Sequence, residues 1–181
     1  LNPGRNAAQQ ATPPTGLVTS GNATLGAAAA TPLNLPDRSV TVDSPDNFTA
    51  QYPQGVLQIT AYEDNSERAA NIRDLVVLAP TTGARFYALK LLFECRAELC
   101  QNPPEASLSL ELESGNEIAV MEGVGVHGET LLQPIARGRS TNGWVVFEIA
   151  EDSIPVRLII TPATSTTSET PQPVFIDLPA L

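Results

Sequence analysis

NGWVVFEIAEDSIPVRLIITP, residues 142–162, decides how this chain folds. In residues 142–150, Trp144, Val146 and Glu148 share one side, and Val145, Phe147 and Ile149 share the other. A period of two is the signature of a strand. An acidic turn closed by Pro155 follows, and VRLIITP (156–162) is the next strand. Working outward, the same pattern recurs. ASLSLELESGNEIAV (106–120) reads as a hairpin, with Leu108, Leu110 and Leu112 inward, a Ser-Gly-Asn turn, and Ile118 and Val120 returning. ARFYALKLLFEC (84–95) is the longest strand candidate.

Further upstream, SVTVD (39–43) and VLQITAYE (56–63) alternate, and NIRDLVVLAP (71–80) is stopped by Pro80 and Gly83. In the second of these, Val56, Gln58, Thr60 and Tyr62 take one side and Leu57, Ile59 and Ala61 the other. ETLLQPIA (129–136), broken by Pro134, and PVFIDLPAL (173–181) complete the set. Only ERAANIRD (67–74) suggests a helix. Eight to ten short strands separated by turn signals predict an all-β antiparallel sandwich or barrel.

The organisation is two-part. Residues 1–37 form an arm of Ala, Thr, Pro, Gly and Asn in which the first 36 residues carry one charge, Arg5. Residues 38–181 form the domain, with a Ser/Thr linker at 163–172 before a last strand at 173–178. An arm this plain cannot build a core, and disorder is expected of it when alone. Its prolines favour extended backbone, and LGAAAA is too short a helix before Pro32. Ala27 and Ala29, and Leu33 and Leu35, alternate weakly, as a strand laid on another sheet would; with Leu17 and Leu25 they are the contacts such an arm offers.

The net charge is −10, and Lys90 is the sole lysine. Nucleic acid as a partner is excluded on this charge, because phosphate binding needs clustered cations. No stretch approaches the length of apolar sequence that crosses a membrane as a helix. The sequence opens on Leu1, which is expected after removal of an export signal or in a truncated chain. Export agrees with Cys95 and Cys100, the only cysteines. Four residues between them suit a disulfide at a strand end, worth about 2 kcal/mol by loop entropy. The alternatives are two buried thiols or a zinc site, and the latter lacks further ligands near the sole histidine, His127.

The second half resembles a known family. RFYALKLLFEC, SLSLELESGNEIAV, the turn ARGRSTNG and then WVVFEIAEDSIPVRLIITP are similar, over roughly residues 55–162, to bacterial secreted immunoglobulin-like β-sandwich domains. These include the immunoprotective extracellular protein of mycobacteria and many lipoprotein domains. Gly143, Phe147, Glu148, Pro155 and Leu158 match the family's pattern. The resemblance implies an Ig-like sandwich with a non-enzymatic extracellular role, and carries over no catalytic residues. The arm and the strand PVFIDLPAL are additions to it.

Other constellations have plain readings. Gly123, Gly125 and Gly128 spell G-x-G-x-x-G, but no helix-forming pattern follows, so a glycine-rich turn or bulge is expected. His127 and Ser140 lack the nucleophile-elbow context. Glu63, Asp64, Asn65 and Glu67, and Asp43, Asp46 and Asn47, lack calcium-loop spacing. Trp144 is expected in the core, with a sugar-stacking platform as the alternative. Asn22 and Asn47 match the glycosylation acceptor pattern, and the Ser/Thr run 164–170 could carry O-linked sugar. No catalytic, cofactor or metal residues are expected.

Two functions follow as expectations. The first is an extracellular structural subunit of a filament- or pilus-like assembly, homopolymeric, its arm adding a strand to a neighbouring sandwich. The second is a monomeric cell-surface or periplasmic adhesion module, tethered by the arm, binding carbohydrate or a surface protein through its loops at 63–68, 123–128 and 136–143. A hydrolase using scattered carboxylates is the remote third, because no carboxylate pair stands out by spacing.

Overall fold

The structure is a computed structural model that describes residues 40–41, 48–64, 70–72, 76–131, 133–164 and 170–179. The arm contacts Leu17, Leu25, Ala27, Ala29, Leu33 and Leu35, the acceptors Asn22 and Asn47, and Asp43, Asp46, Asn65 and Glu67 lie outside the described residues. So do 165–169 of the Ser/Thr run.

The strands are β1 (Val40–Thr41), β2 (Thr49–Tyr52), β3 (Gly55–Asp64), β4 (Ala70–Ile72), β5 (Val76–Leu78), β6 (Ala84–Cys95) and β7 (Leu99–Cys100). They continue with β8 (Ala106–Leu112), β9 (Glu117–Ala119), β10 (Val124–Gly125), β11 (Ile135–Ala136), β12 (Ser140–Ala150), β13 (Pro155–Pro162) and β14 (Val174–Asp177). The front sheet runs β1-β3-β6-β12, with β2 also on the outer edge of β3. The back sheet runs β14-β13-β8-β9. Every pairing is antiparallel. A small sheet, β10-β4-β5, and a ribbon, β11-β7, complete it. The chain is an antiparallel β-sandwich.

β6 and β12 pair over all 11 residues of β12, from Ser140↔Glu94 to Ala150↔Ala84. Both strands bury both faces. Tyr87, Leu89, Leu91 and Phe93 of β6, with Val145, Phe147 and Ile149 of β12, join Leu57 and Ile59 of β3 against Leu108, Leu110, Leu158, Ile160 and Ile176 of the back sheet. The opposite face carries Phe86, Ala88, Trp144 and Val146, closed by Ala61, Ala70, Val124 and Val126. The front sheet is therefore the middle of three layers along this pair. Trp144 is core, 7% exposed.

Three expectations are corrected. A register shift between Ile59 and Ala61 makes Thr60 an extra residue, and its Oγ1 donates to the Lys90 carbonyl at 3.1 Å. A one-residue bulge flips all that follows. Ala61 thus joins the second cluster, while Tyr62 packs toward the first and stacks on Tyr87 at 6.4 Å between centroids. Second, the residues read as one strand at 71–80 are β4 and β5, paired as Ala70↔Leu78 to Ile72↔Val76. This also overturns the helix at 67–74 where it is described, because β4 is held between β5 and β10. Third, of residues 129–136 only Ile135–Ala136 form a strand, on the far side of Pro134.

Phe147 is fully buried. Phe147→Ala is expected to cost about 3–5 kcal/mol, read as a lowered midpoint in urea.

Tyr52 and Tyr87 are both buried, and burial pushes both hydroxyls well above the ordinary tyrosine range. The neighbouring Glu105 adds to the effect at Tyr52, and Tyr62 at Tyr87, where Arg85 opposes it. A pKa raised in the folded state keeps its stability contribution below the unfolded value, about 10, and loses it as pH rises beyond. Unfolding is therefore expected above about pH 10, with tyrosinate absorbance appearing together with loss of β-sheet circular dichroism. Tyr52→Phe should shift that alkaline transition upward.

Candidate functional site

The back sheet has an incomplete edge. β9 lies against the second half of β8 only, in the register Ser109↔Ala119, Leu110↔Ile118 and Glu111↔Glu117. Val120 N still donates to the Leu108 carbonyl at 3.3 Å, but Met121 N already donates to the Val146 carbonyl of the front sheet at 2.8 Å. The chain thus crosses between sheets in one residue. β8, however, begins at Ala106. Its even-numbered residues turn their backbone groups toward β9: Leu112 N bonds the Asn116 carbonyl, and the Leu108 carbonyl accepts from Val120. Its odd side faces β13, where the Glu105 carbonyl accepts from Ala163 N at 2.8 Å. By this alternation Ala106 directs its N–H and C=O to the side that β9 has left.

A cleft of about 690 Å³ opens there. Ala106, Ser107 and Leu108 form one side, Ala119 to Val124 the second, Leu131, Trp144 and Val145 the third, and residues 102–104 the fourth. Glu122 is the only charged residue in this lining. The size falls within the usual range for ligand sites, about 300–1,000 Å³. Pro103 and Pro104 offer no N–H, so that wall cannot pair with an entering strand.

The second and third sides are joined by a strap, residues 121–131, which crosses the edge of β12 that does not pair with β6. Trp144 N donates to the Glu129 carbonyl at 2.9 Å. Lys90 bonds the Glu129 carboxylate at 2.9 Å and sits 5.7 Å from the Trp144 ring centroid. The strap approaches glycines closely. A Cβ on Gly143 would meet the Thr130 carbonyl carbon at 2.5 Å, and one on Gly125 would meet the Glu129 carbonyl oxygen at 2.4 Å. The G-x-G-x-x-G stretch is thus a turn, a two-residue strand and a second turn. His127, exposed, has φ 54°, followed by Gly128 at φ 77°.

The fourth side is held by the Cys95–Cys100 disulfide, which closes at S–S 2.02 Å. It joins the end of β6 to β7 two residues before the wall begins. β7 pairs with β11 through Leu99↔Ala136 and Cys100↔Ile135. The Gln54 carbonyl accepts from Arg96 N at 2.9 Å, and the Tyr52 hydroxyl donates to the Pro104 carbonyl.

The remaining sequence candidates do not converge. Ser140 opens β12 opposite Glu94, and His127 tips the strap. Glu63 is buried on β3, and Asp64 pairs with Arg85. Among the described residues no group of three His, Cys, Asp or Glu gathers as a metal site. Sequence reasoning missed the cleft. Its signals were Pro103 and Pro104 just beyond a cysteine, and glycines placed where a strap crosses a strand.

No protein-family model and no curated protein matches the chain. Among solved structures, a functionally unknown protein from Listeria monocytogenes EGD-e matches with TM-score 0.51 and 13% identity, over 74% of this chain and 82% of that one. An uncharacterized beta-sandwich protein from Clostridium difficile 630 matches with TM-score 0.47 and 8% identity over 72% and 89%. A conserved hypothetical protein from Bacillus anthracis matches with TM-score 0.48 and 9% identity over 68% and 89%. At such identities the likeness concerns the fold alone, and the Listeria match supports it.

Gly143→Ala pushes a methyl group into strap backbone rather than into a movable side chain. A loss of about 1–3 kcal/mol is expected, with a red shift of Trp144 emission as the strap lifts. Replacing Cys95 and Cys100 by Ala should cost about 2 kcal/mol, read by thermal unfolding.

Proposed function

We propose that this chain is a non-enzymatic structural subunit of an extracellular assembly, joined head to tail by the N-terminal arm of one copy adding to the sandwich of the next. The observation that carries this reading is the incomplete edge of the back sheet beside an apolar cleft. Unpaired strand edges are templates for another chain. Cleft and arm agree in chemistry: one charged residue lines the cleft, and one charge lies in the first 36 residues. The disulfide supports an oxidising location. The Ig-like secreted class suggested by residues 55–162 accords with it, as do the antiparallel layers.

The cleft also suits a second reading, a monomeric surface module tethered by the arm whose cleft holds part of a foreign ligand. One comparison separates the two: the particle size of the protein with and without residues 1–36, by light scattering and negative-stain imaging. Large assemblies that vanish with the arm are expected. The same size in both forms overturns the assembly reading and directs attention to foreign ligands.

A further inference from the structure

We infer that the acceptor for the arm is the vacant position beside Ala106, in line with β9, and that the occupant is residues 23–36 of a second copy. The inference rests on the arm-exchange reading and adds to it the place and the segment.

The vacancy is defined by hydrogen bonding. β9 stops pairing at Val120 because the next residue is bonded to Val146 of the front sheet. Continued straight, β9 would place its next residues beside Ala106, whose N–H and C=O face that space. An extended segment laid there would bond Ala106 and lengthen the fourth strand of the back sheet. One face of the segment would then look inward, toward Val120, Met121, Leu131 and Val145.

The walls select the occupant. Pro103 and Pro104 form one of them, so a segment can pair along β8 only and cannot be sandwiched between two ladders. Charge is penalised, because Glu122 is the sole charged lining residue and the apolar walls would desolvate any partner.

Residues 23–36, ATLGAAAATPLNLP, satisfy each condition. They are uncharged, they contain four consecutive alanines followed by Leu33 and Leu35, and Pro32 and Pro36 end the pairing. The rest of the chain carries all the acidic residues, 20 Asp and Glu, so its own loops are poor competitors. Between Pro36 and β1 at Val40 lie residues 37–39, a reach of about 10 Å at about 3.3 Å each, so the donor sandwich would lie close beside the acceptor.

The test uses the full-length protein with three measurements. Free peptide of residues 23–36, in excess, should disperse the assemblies by competition. Within residues 105–108, the backbone amide of Ala106 should exchange about tenfold more slowly in the assembled form than in the arm-deleted form, because Glu105 N is already bonded to the Asn102 carbonyl and Ser107 faces β13. Ser107→Arg and Ala119→Arg, both at exposed positions on the cleft rim, should each prevent assembly while leaving thermal unfolding unchanged. If arm deletion abolishes assembly but neither rim variant does, and exchange at 105–108 is unaltered, the acceptor lies elsewhere and the inference falls while the assembly reading stands. If the chain is monomeric with and without the arm, and the peptide leaves exchange at 105–108 unchanged, both fall. A monomeric chain whose residues 105–108 are nonetheless protected by the peptide retains the site and loses the assembly.

Discussion

The pairing of β6 with β12 is the constraint on which the rest depends. Eleven consecutive pairs of residues place apolar side chains on both faces of one ribbon. A sheet with one wet face needs one covering layer, whereas this ribbon needs two. The back sheet supplies the first through its leucines and isoleucines. The small sheet and the strap supply the second, which is why β4, β5 and β10 exist as separate short strands beside Phe86, Ala88, Trp144 and Val146. Burying the large residues of a ribbon on both sides is the main hydrophobic contribution to stability, at about 1.5–3 kcal/mol for each fully buried side chain.

The cleft follows from the same demand. To cover Trp144 and Val146 the chain must leave the back sheet and reach the β12 edge. It does so immediately after Val120, at the cost of the final rungs of the β8–β9 ladder. The strap can lie close only because Gly125 and Gly143 lack a Cβ. An open backbone edge and a sheltered apolar hollow therefore arise together, from one short crossing. The disulfide and the Tyr52–Pro104 hydrogen bond then fix the opposite wall.

Strand pattern made much of this legible. The alternation in residues 142–150 assigned both faces of β12 correctly, including Trp144 to the core, and Leu108, Leu110 and Leu112 were inward as their spacing implies. Cys95 and Cys100 were close enough in sequence to pair. What failed had local physical causes. A single extra residue, Thr60, reverses the faces of β3, and nothing in VLQITAYE distinguishes a bulge from unbroken alternation. Ala70–Ile72 looks helical by composition, but its partners on both sides come from distant sequence and override propensity. The cleft was hard to read because it is an absence: Pro103, Pro104, Gly125 and Gly143 mark its walls, but a strand that ends early leaves no residue to mark the vacancy itself.

Electrostatics bear on how such molecules could join. Residues 37–181 carry 20 acidic and nine basic side chains (10 in the whole chain, less Arg5), hence −11. Two bodies of that charge repel on approach, within a Debye length of about 8 Å at physiological salt. Direct contact of sandwich surfaces is thereby disfavoured unless it is large and complementary. An arm carrying one charge in its first 36 residues would not add to that repulsion if it joined copies as proposed. The separation of the chain into a nearly uncharged arm and an acidic sandwich therefore fits the proposed arm exchange better than it fits direct contact between sandwich faces.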